Sequence, residues 1–213
     1  MISNQVVREL LAPFDVPISD ESIRNVIVYA DLLLRWNRKI NLTSISSAQE
    51  CISRHFGESF LASRKVRLRG RLLDVGSGAG FPGLALKLIS SQLDVVLLEP
   101  VAKKRAFLKE VARACRLGPI QVIGKRLDEF AQSEEGGGFD IITARAVGGL
   151  ASLVATSMEL LRRGGHLCLW LGLRQVQGIL EANPEIRWLE PETIPFSRDR
   201  VILVGVQVKQ KVD

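Results

Sequence analysis

The residues with the most chemical content lie in one stretch, Leu72-Leu73-Asp74-Val75-Gly76-Ser77-Gly78-Ala79-Gly80-Phe81-Pro82-Gly83. An apolar run carries the carboxylate of Asp74, and glycines follow at 76, 78 and 80. A helix is expected to open at Pro82, because proline is favoured at the first helical position. Gly76, Gly78 and Gly80 let the backbone turn sharply and let a ligand approach main-chain N–H groups at a helix N-terminus. Gly78-Ala79-Gly80-Phe81-Pro82-Gly83 also fits the G-x-G-x-x-G dinucleotide fingerprint, so the glycines alone do not choose the ligand. Asp74 does: a carboxylate ahead of the turn repels a pyrophosphate and suits a positively charged ligand. The next apolar run, Asp94-Val95-Val96-Leu97-Leu98, ends in Glu99. An acid about 20 residues past the loop is placed to accept hydrogen bonds from two ribose hydroxyls.

A nucleoside bearing ammonium and sulfonium charge satisfies both acids, and S-adenosylmethionine (AdoMet) is that ligand. Either acid singly reads equally well as a polar strand end, but the pair beside three glycines does not. A nicotinamide dehydrogenase, the rival from another enzyme class, shares Glu99 and has no use for Asp74. The exit of the fourth expected strand, Asp140-Ile141-Ile142-Thr143-Ala144-Arg145-Ala146-Val147, faces the transferring methyl group in such a fold. It lacks the Asn-Pro-Pro-Tyr type of sequence that holds an exocyclic nitrogen and the Pro-Cys nucleophile that attacks a pyrimidine carbon. Arg145 stays protonated and is a poor general base. Acceptors needing neither base nor covalent catalysis remain, guanine N7 among them, with Arg145 orienting the acceptor, its phosphate or the donor's carboxylate. The turn Gly124-Lys125-Arg126-Leu127-Asp128-Glu129-Phe130 is read in two ways. Leu127 and Asp128 contact the adenine, or they merely begin a capped short helix.

The elements that must position these residues fall into two parts. Residues 1–70 read as a helical extension. Ser19-Asp20-Glu21 caps a helix with apolar Ile23, Val26, Ile27, Ala30, Leu33 and Leu34, ending near Trp36-Asn37, and Ser47-Ala48-Gln49-Glu50 fits a capping box. Residues 71–213 alternate strands (71–75, 94–98, 119–123, 139–143, 165–171) with helices (82–90, 101–116, 150–162, 173–182), the pattern of a parallel sheet covered on both faces. In helix 101–116, Ala106, Phe107, Val111, Ala112 and Cys115 are expected inward. The runs Ile186–Ile194 and Val201–Val208 are joined too closely for a helical crossover and should be antiparallel. The expected fold is α/β: a Rossmann-like class I AdoMet-dependent methyltransferase, with a mostly parallel seven-stranded sheet and an antiparallel C-terminal strand.

The chain has 213 residues, is 46% hydrophobic and carries a net charge of +6, with a sequence pI of about 9.5. This suits one domain with an extension. The cationic excess is local. Arg64-Lys65-Val66-Arg67-Leu68-Arg69-Gly70-Arg71 holds no acid, and Arg38, Lys39, Arg54 and His55 lie upstream. Singly such cations are usually a solvated face; beside a methyl-donor pocket they are read as candidate RNA contacts. Cys51, Cys115 and Cys168 are widely separated, so neither a metal site nor a disulfide framework is expected, and a reducing cytoplasm fits. No signal peptide or membrane-spanning run is seen. A short Gly136-Gly137-Gly138 turn is the nearest approach to low complexity.

The chain resembles the bacterial RsmG (GidB) family of small-subunit ribosomal RNA guanine-N7 methyltransferases over about Leu32 to Leu171. Trp36-Asn37-Arg38-Lys39-Ile40-Asn41-Leu42-Thr43 is similar to the family's Trp-Asn-x-x-x-Asn-Leu-Thr segment. Arg54-His55-Phe56-Gly57-Glu58-Ser59 is similar to its basic-His-x-x-Asp-Ser segment, and the glycine loop shares the distinctive Pro82-Gly83. Lys103-Lys104-Arg105 and Arg145-Ala146 fall where the family has Gly-Lys-Arg and Arg-Ala. The resemblance implies donor contacts at Gly76, Phe81, Leu127, Asp128 and Arg145. It also implies methylation of guanosine 527 (usual rRNA numbering) in the 530 loop of 16S rRNA, either free or in a small-subunit assembly intermediate. A monomer without metal is expected. Glu58 and Glu99 stand where the family usually has Asp, and Leu127-Asp128 where Ala-Glu is common; all keep the charge type. The other readings are a methyltransferase of another RNA or a small molecule, the dehydrogenase, and an RNA-binding module with a vestigial pocket.

Overall fold

The computed structural model describes residues 2–133 and 137–208. Gly136 of the expected glycine turn lies outside them. Parallel strands β1 (Gly70–Val75), β2 (Leu93–Leu98), β3 (Ile120–Ile123), β4 (Phe139–Arg145) and β5 (Leu161–Gly172) are followed by β8 (Arg200–Val206), which pairs antiparallel with β5. The sheet order is β3-β2-β1-β4-β5-β8-β6, with β7 also on β8. β6 (Arg187–Trp188) and β7 (Glu192–Thr193) share the seventh position. The expected single run from 186 to 194 is therefore broken. Pro191 has no N–H for the ladder, and the register shifts by one residue between Trp188 paired with Gly205 and Glu192 paired with Ile202.

One face of the sheet is covered by α8 (Leu150–Leu160) and α9 (Leu173–Ala182), the other by α5 (Gly83–Ile89), α6 (Ala102–Ala114) and the N-terminal helices. α1 (Asn4–Leu11) and α2 (Asp20–Ile40) bury Val7, Ile23, Val26, Tyr29 and Leu33 in the same core as Leu72 of β1 and Leu84 of α5. α2 outruns its expected end at Trp36-Asn37. Its last turn carries Arg38 and Lys39, favourable at a helix C-terminus, and Asn41 ends it in the left-handed conformation at φ +47°. The buried stripe of α6 is Phe107, Leu108 and Val111, continued by its C-cap Cys115; Ala106 faces solvent and Ala112 is half-buried.

The helical run after Ser47 comprises α3 (Ala48–Glu50), a π-helix (Cys51–Gly57), α4 (Glu58–Phe60) and a 3-10 turn (Leu61–Arg64). Ser47 Oγ caps the Glu50 N–H at 3.2 Å, but the Glu50 carboxylate turns forward to Arg54 at 2.7 Å. The expected capping box is thus half made. π-turns inside helices often mark functional sites, and this one carries Arg54 and His55.

Candidate active site

β1 and β4 are neighbours whose connections leave in opposite directions along the sheet. A crevice opens at such a switch point, beyond the C-terminal ends of the strands. The glycine loop leaves β1 there. Gly76, Gly78 and Gly80 all have positive φ (+68°, +55° and +87°), yet their surroundings differ. A Cβ on Gly80 would stand 2.1 Å from the Tyr29 hydroxyl, which donates to the Ala79 carbonyl. Gly80 is thus required for packing α2 against the loop. A Cβ on Gly78 would meet nothing nearer than the Gly76 carbonyl oxygen at 3.7 Å, so its face is open to a ligand.

Two buried carboxylates frame the loop. Glu99 Oε2 accepts the Gly78 N–H and Oε1 the Val101 N–H, both at 2.8 Å. Glu99 therefore fixes the loop while retaining acceptor capacity, since a carboxylate offers about four lone-pair sites. Asp74 is fully buried, and its Oδ1 accepts the Thr143 hydroxyl at 2.7 Å. Its Oδ2 has no hydrogen-bond partner among the described residues. Gly83 packs so closely on this carboxylate that a Cβ would come within 2.8 Å of Oδ2. Burial, helped by the nearby Glu99 charge, raises the Asp74 carboxyl from 3.8 to about 6, against the lowering effects of the Thr143 and Ser77 hydroxyls and the Gly83 N–H. A buried acid with no cation beside it and one oxygen left without a partner among the described residues suits a cationic ligand.

Beside the loop lies a cleft of about 430 Å³ whose lining includes Gly76, Pro100, Leu127, Asp128, Gly148 and Ser152. Its volume is within the roughly 300–1,000 Å³ of small-ligand sites. The structure thus brings Gly76, Leu127 and Asp128 together. Leu127 and Asp128 also begin a short helix, α7 (Leu127–Ala131), so the two sequence readings of this turn are compatible. The Phe81 ring is buried between His55 (centroids 4.6 Å, 19°) and Tyr29 (5.1 Å, 15°). With both ring faces occupied, its main chain is the part left for a ligand.

The second wall of the site, which meets the loop where His55 stacks on Phe81, is made of side chains. The Asn37 amide donates to the Thr43 carbonyl, and its oxygen accepts the Thr43 N–H, both at 2.8 Å. The Thr43 hydroxyl in turn bonds His55 Nε2 at 2.9 Å. His55 Nδ1 is buried without a partner among the described residues. Burial, with Arg145, Arg54 and Arg200 nearby, holds this imidazole down at about 3. At the end of β4, Arg145 donates from both terminal nitrogens to the Arg54 carbonyl at 3.2 Å and pairs with Glu58 at 3.1 Å. Glu58 is 2% exposed and also pairs with Arg200 at 2.6 Å, while its carbonyl accepts the Trp170 indole N–H at 2.8 Å. Glu58 and Arg200 were not among the sequence candidates for the site. The Glu58-Ser59 match to a family segment was the one signal, and nothing local pointed to Arg200.

The remaining cations are scattered. Arg54 is exposed on the π-helix, and Arg38 and Lys39 end α2. Arg64 and Lys65 both bind Glu192, at 3.2 and 3.0 Å. Arg67 and Arg69 are exposed just before β1, at the end of the sheet opposite the glycine loop. Among the described residues there is no cluster of three or more His, Cys, Asp or Glu able to hold a metal, and no helix is long and apolar enough to cross a membrane.

A switch-point crevice, a seven-position sheet with antiparallel β8 and helices on both faces define the class I AdoMet-dependent methyltransferase fold. Solved structures agree. A SAM-dependent O-methyltransferase from Thermotoga maritima superposes with a TM-score of 0.59 at 15% identity, covering 85% of this chain and 73% of that one. A ribosomal protein L11 methylase from Lactobacillus delbrueckii subsp. bulgaricus gives 0.61 at 18% identity, covering 74% and 80%. Sequence carries the assignment further. The GidB family model, described as rRNA small subunit methyltransferase G, matches residues 22–200. The ribosomal RNA small subunit methyltransferase G of Desulfitobacterium hafniense is 34% identical over 179 residues, 84% of this chain and 74% of its own. That of Roseiflexus castenholzii is 34% identical over 200 residues, 90% and 86% of the two chains. The chain belongs to this family.

Proposed function

We infer that this protein is an AdoMet-dependent methyltransferase that modifies N7 of guanosine 527 in the 530 loop of 16S rRNA. The observation that carries the reading is the absence of a usable base among the described residues at the exit of β4. Arg145 is a cation, Glu58 is held by two arginines, and burial keeps His55 from accepting a proton until about pH 3. Guanine N7 attacks with its own lone pair and needs no proton removed. Membership in a family described as acting on small-subunit rRNA supports the substrate.

The residues present fit the cofactor: the open face of Gly78, the unpartnered Oδ2 of Asp74 and the spare lone pairs of Glu99 match a cationic nucleoside. In this reading Asp74 favours the positive charge, Glu99 takes the ribose hydroxyls, and Gly76, Leu127, Asp128 and the Phe81 main chain enclose the remainder. Bound AdoMet supplies an electrophilic methyl group. The protein contributes position: Arg145 holds the acceptor in line, and the His55–Phe81–Tyr29 stack fixes the wall behind it. Residues 71–213 are the catalytic domain and residues 1–70 an extension that meets RNA. The enzyme works in the cytoplasm as a monomer, on 16S rRNA or a small-subunit assembly intermediate.

Reduction and aniline cleavage of 16S rRNA from wild-type and deletion cells tests the assignment. Loss of one N7-methylguanosine, at position 527, is expected in the deletion. An unchanged cleavage pattern contradicts it.

A further inference from the structure

Phe196 is 82% exposed, the most of any large apolar side chain among the described residues. It lies in the loop from β7 to β8, where the Ser197 N–H closes a turn onto the Ile194 carbonyl at 3.0 Å with Pro195 and Phe196 between them. Its φ is +61°, which a bulky L residue adopts only under strain. The residue after proline in such a turn is ordinarily glycine when φ is positive. The loop is firmly tied. Ser197 Oγ accepts from the Arg200 N–H and Nε, both at 3.1 Å, and the Asp199 carbonyl accepts the Leu173 N–H. An exposed ring and a left-handed backbone are both costs to the fold, and neither is offset by packing. Strain held in place by surrounding bonds points to use.

Phe196 lines a pocket of about 480 Å³ together with Phe14, Arg54, Glu58 and Arg200. Glu58 is neutralised by Arg145 and Arg200, and these pairs join the pocket to the exit of β4. Arg54 has only the exposed partner Glu50, and Arg198 is exposed with no ion pair among the described residues. The acid Glu9 lies on the rim with one oxygen bonded to Gln5. Asp199 is also exposed, next to Arg198, and has no ion pair among the described residues, so the charge beside the ring is mixed. The exposed Arg54 and Arg198 guanidinium groups are the part of it that complements an RNA backbone.

We propose that Phe196 is a stacking platform for an unpaired RNA nucleotide adjoining the one that is methylated, with Arg54 and Arg198 meeting its phosphates. This role presupposes the rRNA methyltransferase reading and adds the part of the RNA that is gripped. Unpaired bases are commonly held on aromatic faces, because every base has a π-face to offer. On a tied loop, the ring gives up only its own rotamer freedom when a base lands on it.

Steady-state methylation of 16S rRNA and small-subunit particles with tritiated AdoMet, using wild type and Phe196→Ala, Phe196→Leu, Phe196→Gly and Phe196→Tyr, provides the test. Ala, Leu and Gly should raise KM for RNA about 5- to 100-fold, while Tyr stays within about twofold. AdoMet affinity should be unchanged in all four, and Phe196→Gly should not lower Tm, since glycine suits the backbone there. Wild-type KM in Phe196→Ala overturns the stacking role. So does full retention in Phe196→Leu, which signals apolar docking on a protein, or a marked fall in Tm for Phe196→Gly, which signals a structural ring. A wild type that methylates no ribosomal RNA overturns both readings. A wild type that does, with Phe196→Ala unaffected, overturns this one alone.

Discussion

The glycine-loop wall and the arginine wall of the site meet where His55 stacks on Phe81 and are built on opposite principles. The first is mostly main chain, drawn from residues 74–83 and anchored by one carboxylate, Glu99 on the Gly78 N–H. The second is side chains from distant segments: Thr43 on His55, Arg145 on Arg54 and Glu58, and Arg200 on Glu58. A main-chain wall depends on the absence of Cβ atoms, whereas the arginine wall depends on charge balance around a buried carboxylate. Removing one cation from such a carboxylate costs far more than the pair's net contribution to stability. The first wall should therefore fail through shape and the second through charge and geometry.

The largest effect is expected at Gly78. A Cβ at Gly78 meets only the Gly76 carbonyl oxygen, at an ordinary 3.7 Å, so Gly78→Val is expected to cost the fold mainly through the backbone at φ +55°. The branched side chain instead occupies the ligand's space. Calorimetric titration should show AdoMet affinity reduced more than about 100-fold while circular dichroism retains the folded signature. Wild-type affinity would remove the loop from the donor site.

Next is Arg145→Lys. Lysine keeps a charge for Glu58 but loses the planar fork that bonds the Arg54 carbonyl from two nitrogens. Misplacement on the scale of an ångström costs about 100-fold in a positioned reaction. A fall of roughly 10- to 100-fold in single-turnover rate is expected, with Tm lowered only slightly. Full activity would show that the fork is dispensable and that charge alone serves.

The smallest effect concerns Asp74 and pH. Its folded-state value of about 6 lies above the ordinary 3.8. Between about pH 4 and 6 the folded protein thus holds a proton that the unfolded chain has released. The stabilisation is full below about pH 4 and is lost as pH rises through 6, by roughly 2–3 kcal/mol in all. Asp74→Asn should abolish that slope in thermal melts of the ligand-free protein and raise Tm at pH 7. The same variant should weaken AdoMet more than S-adenosylhomocysteine. Equal losses, with the pH slope intact, would assign Asp74 to loop support only.

The same contrast explains what could be read from the chain beforehand. β1, the loop, α5 and Glu99 are close in sequence, and their pattern follows from the strand period, glycine chemistry and a switch-point crevice. Proximity in sequence did not reveal why Gly80 is glycine, because its neighbour Tyr29 lies on α2. The sequence pattern predicts an ordinary helix where the π-helix lies, since its wide turn is set by packing and not by propensity. The charge network of Glu58 with Arg145 and Arg200 joins α4 to the ends of two strands, which only the sheet order brings together. The basic run before β1 was visible as charge, but the pairing of Arg64 and Lys65 with Glu192 was not.

Positioning without a base is the central claim, and a pH profile tests it most directly. Single-turnover methylation of 16S rRNA should be measured at saturating AdoMet from about pH 7 to 9, above the value of about 6 at which Asp74 titrates. His55, held near 3, and the permanently charged Arg145 have no titration to offer in that range. The rate is predicted to stay within about twofold across it. A rate that climbs tenfold per pH unit would show that a group must lose a proton before transfer, and the guanine-N7 mechanism would be contradicted.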